Sequence, residues 1–260
     1  MFLGKFETSI WQLPDEEMQQ MKNYLSMGFG VNSVALYLLM ERLGMEFEAV
    51  FVNHGGDWPE TYKYMNYFVA TGRPVTVLKP SANTVEKVVF ESIVEYMKFR
   101  RITPSRGSRM CTDRFKTVPI YKYIESPCWM HIGFAADESG RASINTEKGV
   151  ENRYLLIEHG ITRQGCIDMI KDAGLLVPMK SGCYICPFQG LLQFKQLRKK
   201  HPELFCSALQ LEETQNKRKK ADGTPWKKFY LCGVPLDKID KQLFLPEFER
   251  EEYPPCMCGL

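Results

Sequence analysis

Ser26-Met27-Gly28-Phe29-Gly30-Val31-Asn32-Ser33 is the stretch on which the reading of this chain turns. A short apolar run, Tyr24-Leu25, precedes it, and an apolar segment from Val34 to Met40 follows. That order is strand end, glycine turn, helix start. Glycines let backbone N–H groups approach an anion closely, and a helix N-terminus adds a favourable dipole. Asn32 and Ser33 are residue types that cap helices and can present a side chain to a ligand. The stretch therefore predicts a phosphate cradle and a nucleotide ligand. A Walker loop is excluded, because no lysine follows the second glycine. A dinucleotide fingerprint fails twice: Ser33 stands where glycine is needed, and the next apolar run ends in Asn53-His54 rather than an acid.

Outward from the loop the pattern alternates. Strands are predicted at Phe47–Asn53, Pro74–Leu78 and Trp129–Phe134, and helices from Pro59 and over Val85–Phe99. This predicts an α/β fold, a doubly wound parallel sheet covered on both faces. In such sheets ligands sit beyond the carboxyl ends of the strands, where the strand order reverses. Three polar clusters fall at those ends: the opening loop, Asn53-His54-Gly55-Gly56-Asp57, and Ala136 to Arg141. Further helices are predicted over Thr162–Ala173, Phe188–Lys200 and Pro202–Lys219, and the pattern weakens from Ala221. Residues 1–180 are expected to form the nucleotide-binding α/β domain. Residues 181–260 are expected to form a cysteine-rich helical region packed on it.

A chain of 260 residues buries one large core. Its apolar runs are too short and too interrupted to span a membrane, and Met1 to Glu7 lacks the layout of a signal peptide. The expectation is a cytoplasmic protein with no membrane partner. The net charge of +3 decides little. The basic residues nevertheless cluster, at Lys98 to Arg109, at Arg198-Lys199-Lys200 and at Lys217-Arg218-Lys219-Lys220. Such runs are solvated faces or surfaces for a polyanion, and a nucleic-acid partner stays open.

Nine cysteines without a secretion signal favour metal or redox chemistry over a disulfide framework. Cys183-x-x-Cys186, framed by Gly182 and Pro187, has the spacing of zinc and iron–sulfur ligands, and also of a redox dithiol. Cys128, Cys166 and Cys232 sit in apolar contexts and are expected to be plain buried residues. Lys116 and Arg109 supply positive charge for a phosphate or sulfate, and Arg141 for a second phosphate. Asp57, Asp137 and Glu138 suit Mg²⁺ or a ribose hydroxyl. For any single one of these charges a surface ion pair is the competing account. Tyr62, Tyr64, Tyr67 and Phe68 have helical spacing and are expected to pack in the core.

Several segments together resemble the phosphoadenosine phosphosulfate (PAPS) reductase-like family of the adenine nucleotide alpha-hydrolase superfamily. Gly28 to Ser33 is similar to its pyrophosphatase loop, Ser-Gly-Gly-x-Asp-Ser, with Asn32 in place of aspartate and Gly28 in place of the first serine. Asn53 to Tyr62 resembles the Asp-Thr-Gly-x-x-x-Pro-Glu-Thr-Tyr segment. Arg109 to Pro119 resembles Arg-x-Cys-Cys/Thr-x-x-x-Lys-x-x-Pro, and Gly133 to Arg141 resembles Gly-x-x-x-Asp-Glu-Ser-x-Arg. The resemblance implies that ATP or PAPS is held by Ser26, Gly28, Phe29, Gly30, Asn32, Ser33, Asn53, Gly56, Gly133, Asp137 and Glu138, with Mg²⁺ as a possible companion. It implies Lys116, Arg141 and Asp57 as catalytic residues.

Adenylylsulfate reductases of this kind bind a [4Fe–4S] cluster through a Cys-Cys pair and a downstream Cys-x-x-Cys. The resemblance thus supplies Cys111, Cys183 and Cys186 as ligands, with Thr112 in place of the fourth. Cys258-Gly259-Leu260 matches the core of the C-terminal motif that carries the nucleophile, although Met257 replaces its glutamate and no histidine follows. Cys258 is therefore nucleophile or fourth ligand, and the ligand role is preferred; Cys206 and Cys256 compete for it. Two chemistries follow. In one, ATP activates a substrate by adenylation and sulfur is transferred to an acceptor the sequence does not identify. In the other, Cys258 attacks PAPS or its relative and sulfite leaves. A different class of protein, a nucleic-acid-binding accessory factor with structural zinc, is the further alternative.

Overall fold

A computed structural model describes residues 21–80, 89–107, 110–143, 147 and 149–241. In chain order the elements are β1 (Lys22–Ser26), α1 (Val31–Arg42), β2 (Glu48–Val52), α2 (Pro59–Ala70), β3 (Thr76–Leu78) and α3 (Ile93–Arg100). A helical turn at Met110–Thr112 then runs into a π-helical turn at Asp113–Thr117 and on into α4 (Val118–Tyr123). There follow β4 (Cys128–Ile132), a 3₁₀ turn (Ala136–Arg141), β5 (Val150–Arg153), α5 (Leu155–Glu158), α6 (Arg163–Asp172), α7 (Leu191–Lys200), α8 (Pro202–Asn216) and a 3₁₀ turn (Leu236–Lys241).

The strands form one sheet of order β3-β2-β1-β4-β5, and the β2–β1, β1–β4 and β4–β5 pairings are parallel. This is the doubly wound α/β architecture. Its strand order reverses beside β1, so the crevice beyond Ser26 and Ile132 is the switch point where such sheets take ligands. The fully buried residues of β1 and β2, Leu25, Ala49, Val50 and Phe51, read as near-continuous apolar runs, as a sheet covered on both faces requires.

The chain divides into two compact units, each assembled from separate segments. The first comprises residues 1–51, 64–77 and 120–179; the second comprises 52–63, 78–119 and 180–260. In the first unit α1 is buried almost throughout and packs on α6. The second unit has its own core: Ile93, Met97, Phe115, Ile185, Phe194, Leu197, Ala208 and Leu211 are all essentially inaccessible. Buried Glu212 of α8 accepts the backbone N–H groups of Leu231 and Leu236, both at 2.9 Å, and so ties the segment after α8 to that core.

Several element boundaries differ from those expected. The helix expected over Val85–Phe99 is described from Ile93, because the Ser92 hydroxyl accepts from Val94 and Glu95 N–H and caps it there; residues 81–88 lie outside the described residues. The helix expected from Phe188 starts at Leu191, since Cys183 to Gln189 forms consecutive turns closed by Cys186 N–H on Cys183 and Gln189 N–H on Cys186. The helix expected to reach Lys219 stops at Asn216. Strand β5 and the π-helical turn carry no clear periodicity in the sequence.

Candidate functional site

The switch-point loop belongs to the first unit. Ser26 ends β1, and Met27 N–H donates to Val50 carbonyl at 2.9 Å. Phe29 adopts a left-handed backbone (φ 52°), uncommon for a residue with a side chain. Its ring holds it there: it is 1% exposed and meets Phe51 and Phe68 edge-on at 5.0 and 6.1 Å. The helix that follows is capped by Gly30, not by Asn32 or Ser33 as the sequence suggested. No side chain caps it, so its N-terminal N–H groups face the loop as an anion-ready end.

Asn32 and Ser33 lie inside the first turn and hold the loop instead. Ser33 Oγ accepts from Gly28 N–H at 3.3 Å and donates to Gly30 carbonyl at 3.1 Å. Asn32 Nδ2 donates to Glu138 Oε2 at 2.6 Å, while its Oδ1 accepts from Arg163 at 3.1 Å. Glu138 in turn accepts from Arg141 at 2.8 Å, and the Arg141 guanidinium lies 4.2 Å from the Phe134 ring centroid. Asp137 accepts the Arg163 backbone N–H at 3.1 Å at the start of α6. The amide at position 32 donates to an acid and accepts from a base at once, whereas a carboxylate would oppose Glu138.

Gly133 completes the crevice. A Cβ there would stand 2.9 Å from Ser33 N and 3.0 Å from Asn32 C, closer than side chains approach backbone. The loops after β1 and β4 therefore meet backbone to backbone, and only glycine permits it.

The second unit contains Cys111, Cys183 and Cys186. The backbone at Gly56 to Trp58 pairs with the Cys-x-x-Cys turn: Trp58 N–H donates to Gly182 carbonyl at 3.2 Å, and Tyr184 N–H to Gly56 carbonyl at 2.9 Å. Gln189 fastens the turn, donating to Cys183 carbonyl at 2.8 Å and accepting from the Trp58 indole at 3.1 Å. Lys116 lies on the π-helical turn; burial would push its ammonium down, but the charges of Cys183, Asp57, Cys111 and Cys186 hold it above its ordinary range. Burial pushes the Cys183 thiol well up, with Asp57 adding and Lys116 opposing, and burial likewise raises Cys186. Asn53 Oδ1 accepts from Gly55 N–H and from the Tyr62 hydroxyl, and Gly56 has no room for a Cβ, which would meet Ile93 at 2.8 Å.

His54 was a lone loop histidine in the sequence; here it is fully buried among this group. Its Nε2 lies 3.3 Å from Asp57 Oδ2 and 3.5 Å from Cys183 Sγ. Its Nδ1 accepts from Gly56 N–H at 3.2 Å, which leaves the hydrogen on Nε2, directed at Asp57. Burial lowers its pKa, with Asp57 opposing and Lys116 lowering it further. Ligand atoms of His54, Asp57 and Cys183 all lie within 4.8 Å of one another, a spacing a metal ion could bridge. Yet Cys183 Sγ is almost equally far from both ring nitrogens, 3.5 and 3.9 Å. Sulfur so placed rests against the ring, not in line with either nitrogen lone pair, and a metal shared by Nε2 and Sγ would put it far nearer one nitrogen. The same geometry denies His54 the role of base towards Cys183, because Nε2 already carries its proton. His54 instead packs beneath Cys183 and shields Asp57.

The expected site residues that the structure describes fall into two groups. Ser26, Gly28, Phe29, Gly30, Asn32, Ser33, Gly133, Asp137, Glu138 and Arg141 gather in the first unit. Asn53, Gly56, Asp57, Cys111, Lys116, Cys183 and Cys186 gather in the second. Arg109, Cys256 and Cys258 lie outside the described residues. Cys128 and Cys166 are buried, and burial lifts their thiols to about 11 and about 12. Cys206 is exposed and Cys232 partly buried.

The chain is similar to a PAPS reductase. The phosphoadenylyl-sulfate (PAPS) reductase from Candida auris aligns at a TM-score of 0.43 and 12% identity, over 65% of this chain and 84% of that one. A predicted subunit of tRNA methyltransferase from Methanocaldococcus jannaschii aligns at 0.38 and 14% identity, over 80% of this chain and 100% of that one. In sequence, the uncharacterized nin region protein ORF290 of Escherichia phage lambda is 30% identical over 163 residues, 52% of this chain. This chain spans about half of that relative, 54% of its length. No family model matches the sequence. No helix among the described residues is long and apolar enough to cross a membrane.

Proposed function

We propose that this chain is a PAPS reductase-like enzyme that binds an adenine nucleotide at the switch-point loop. The observation that carries the reading is the crevice of the first unit. There an uncapped helix N-terminus follows a glycine loop at the strand-order reversal, and Arg141 and Arg163 belong to the same hydrogen-bonded network. Backbone N–H groups at such a position bind phosphate, and guanidinium groups bind it bidentately. Asn32, Glu138 and Arg163 keep the first turn rigid against the bound anion.

The second unit supports a thiolate-bound group. Cys111 and Cys183 pack against the same core, and Cys111, Cys183 and Cys186 each act electrostatically on one ammonium, that of Lys116. Soft thiolates of this number suit an iron–sulfur cluster or zinc, and a lysine among them compensates their negative charge. The donor set therefore fits a [4Fe–4S] cluster, held by these three cysteines with Cys258 as the proposed fourth ligand. Bound there, such a group supplies sulfur ligation and a local electrostatic field. Lys116 neutralises the thiolates and orients an anionic sulfur substituent, while Asp57 anchors His54 under Cys183.

Of the reactions open to such an enzyme, ATP-dependent sulfur transfer through substrate adenylation is preferred over reduction of PAPS. Met257 stands where the reductase motif carries the glutamate that precedes its nucleophile, at Cys258. The test is anaerobic reconstitution with iron and sulfide, then incubation with ATP or with PAPS. Pyrophosphate release from ATP is expected. Sulfite release from PAPS, lost in Cys258→Ala, would establish the reductase instead. Iron and acid-labile sulfide are expected to fall in Cys183→Ser and Cys186→Ser, and colourless protein carrying one zinc would overturn the cluster.

A further inference from the structure

The stretch from Lys217 to Lys228 had only a basic run to recommend it in the sequence. In the structure it is a preformed hairpin standing off the end of α8. Lys220 N–H donates to Thr224 carbonyl at 2.7 Å and Trp226 N–H to Arg218 carbonyl at 3.2 Å, around a bridge between Lys219 and Pro225. Gly223 supplies the left-handed turn (φ 82°), and Asp222 folds back on Thr224 N–H and hydroxyl at 2.9 and 2.6 Å. At the base, the Asn216 amide clamps both sides of the Phe229 backbone, donating at 3.0 Å and accepting at 2.8 Å.

This small element is held in one shape without burying an apolar face. Residues 219 to 228 are all exposed. It carries six cations, Lys217, Arg218, Lys219, Lys220, Lys227 and Lys228, against one acid, Asp222, which its own turn consumes. Among the described residues, Lys217 meets a neighbouring carboxylate, Glu213 at 3.8 Å. At its centre Trp226 is 48% exposed, with the Arg218 guanidinium 5.7 Å from its ring centroid. An indole left in water is an unfavourable choice for folding alone; flanked by five lysines it is a stacking platform on a cationic track. That chemistry matches unpaired bases on a sugar–phosphate chain, because stacking needs an open base face and the lysines need regularly spaced phosphates.

We infer that the Lys217–Lys228 hairpin docks a single-stranded polynucleotide, with a base stacked on Trp226 and phosphates on Lys219, Lys220, Lys227 and Lys228. The inference is independent of the nucleotide reading above, since the hairpin lies in the second unit and ATP binding is measured separately.

The test is fluorescence anisotropy of the full chain with fluorescein-labelled dT20, U20 and a 20-base-pair duplex, across a salt series. Single strand, as dT20 or U20, is expected to bind more tightly than the duplex. The salt slope of log K is expected at about −3, as for four phosphates on a single strand. Trp226→Ala is expected to weaken binding roughly 5- to 150-fold. Trp226→Phe, which keeps a stacking ring, is expected to retain most of the binding. Lys219→Glu with Lys220→Glu is expected to weaken binding and to halve the slope. None of these should move the thermal midpoint, because the residues are exposed. The inference fails if no polynucleotide binds at low salt, if the duplex binds as tightly as the single strands, or if Trp226→Ala binds as the parent does.

Discussion

Asn32→Asp puts the switch-point network under the most direct strain. It changes one atom and restores the carboxylate that the resembled family carries. In the structure the Asn32 amide donates to Glu138 at 2.6 Å and accepts from Arg163 at 3.1 Å. An aspartate keeps the second contact and turns the first into an encounter of two carboxylates. Unit charges about 4 Å apart in a partly screened site repel by about 4 kcal/mol. A full charge facing Arg163 recovers part of that, and Glu138 is already shared with Arg141, so a net loss of about 1–2 kcal/mol is expected at neutral pH.

The pH dependence fixes the cause. The two carboxylates would hold a shared proton more tightly folded than unfolded, which raises the folded pKa. Stability from such a group is present at low pH and lost as pH rises through the folded value. The deficit of Asn32→Asp should therefore shrink between pH 7.5 and pH 5, whereas Asn32→Ala should lose about 1 kcal/mol at both. Urea unfolding of the three proteins at the two pH values is the assay. An Asn32→Asp protein as stable as the parent at pH 7.5, or one whose deficit ignores pH, would refute the account.

Other outcomes follow from the same packing. Gly133→Ala forces a Cβ into the backbone of Asn32 and Ser33, and overpacking of this kind costs about 1–3 kcal/mol, read by denaturant unfolding. If the crevice holds phosphate, isothermal titration with ATP should show affinity falling in the same variant. His131, buried in β4, donates from Nε2 to Asn23 at 2.9 Å, and its Nδ1 has no hydrogen-bond partner among the described residues. Burial, aided by Arg153, takes its pKa to about 4 against opposition from Glu158. The unfolded chain then binds the proton more readily, so stability falls as pH drops from about 6.5 to about 4, by up to about 3 kcal/mol. An imidazole titration by NMR with an ordinary midpoint would contradict this. Asn216→Ala removes both bonds of the amide clamp and should speed hydrogen exchange across residues 218–226, while the core of the second unit keeps its protection.

The sequence was most legible where one local rule dominates. The apolar runs of β1, β2 and β4 and the glycine loop between β1 and α1 needed no distant information, and the sheet followed from their alternation with helices. Capping was misread because Asn32 and Ser33 are good caps in isolation. Gly30 won the position once Asn32 was taken up by Glu138 and Arg163, partners more than a hundred residues away. Strand β5 was not legible because Val150-Glu151-Asn152-Arg153 has only one fully buried residue and owes its existence to the edge offered by β4.

His54 and Trp226 show the same limit from opposite directions. Nothing near His54 marks it as buried; its environment is made when residues 56–58 pair with 182–184 across more than a hundred residues of chain. Trp226 lies in the stretch from Ala221 where the sequence pattern weakens, and an aromatic there would ordinarily find a core. The hairpin denies it one, because the turn at Asp222-Gly223 and the clamp at Asn216 satisfy the backbone before any apolar contact is needed. A buried imidazole that cannot serve as a base and an exposed indole that does not serve a core are both departures from what folding alone would select. The first is tied to the cysteines it supports. The second sits among lysines, and its exposure is accounted for once a partner with a flat, unpaired ring and a phosphate chain is placed on it.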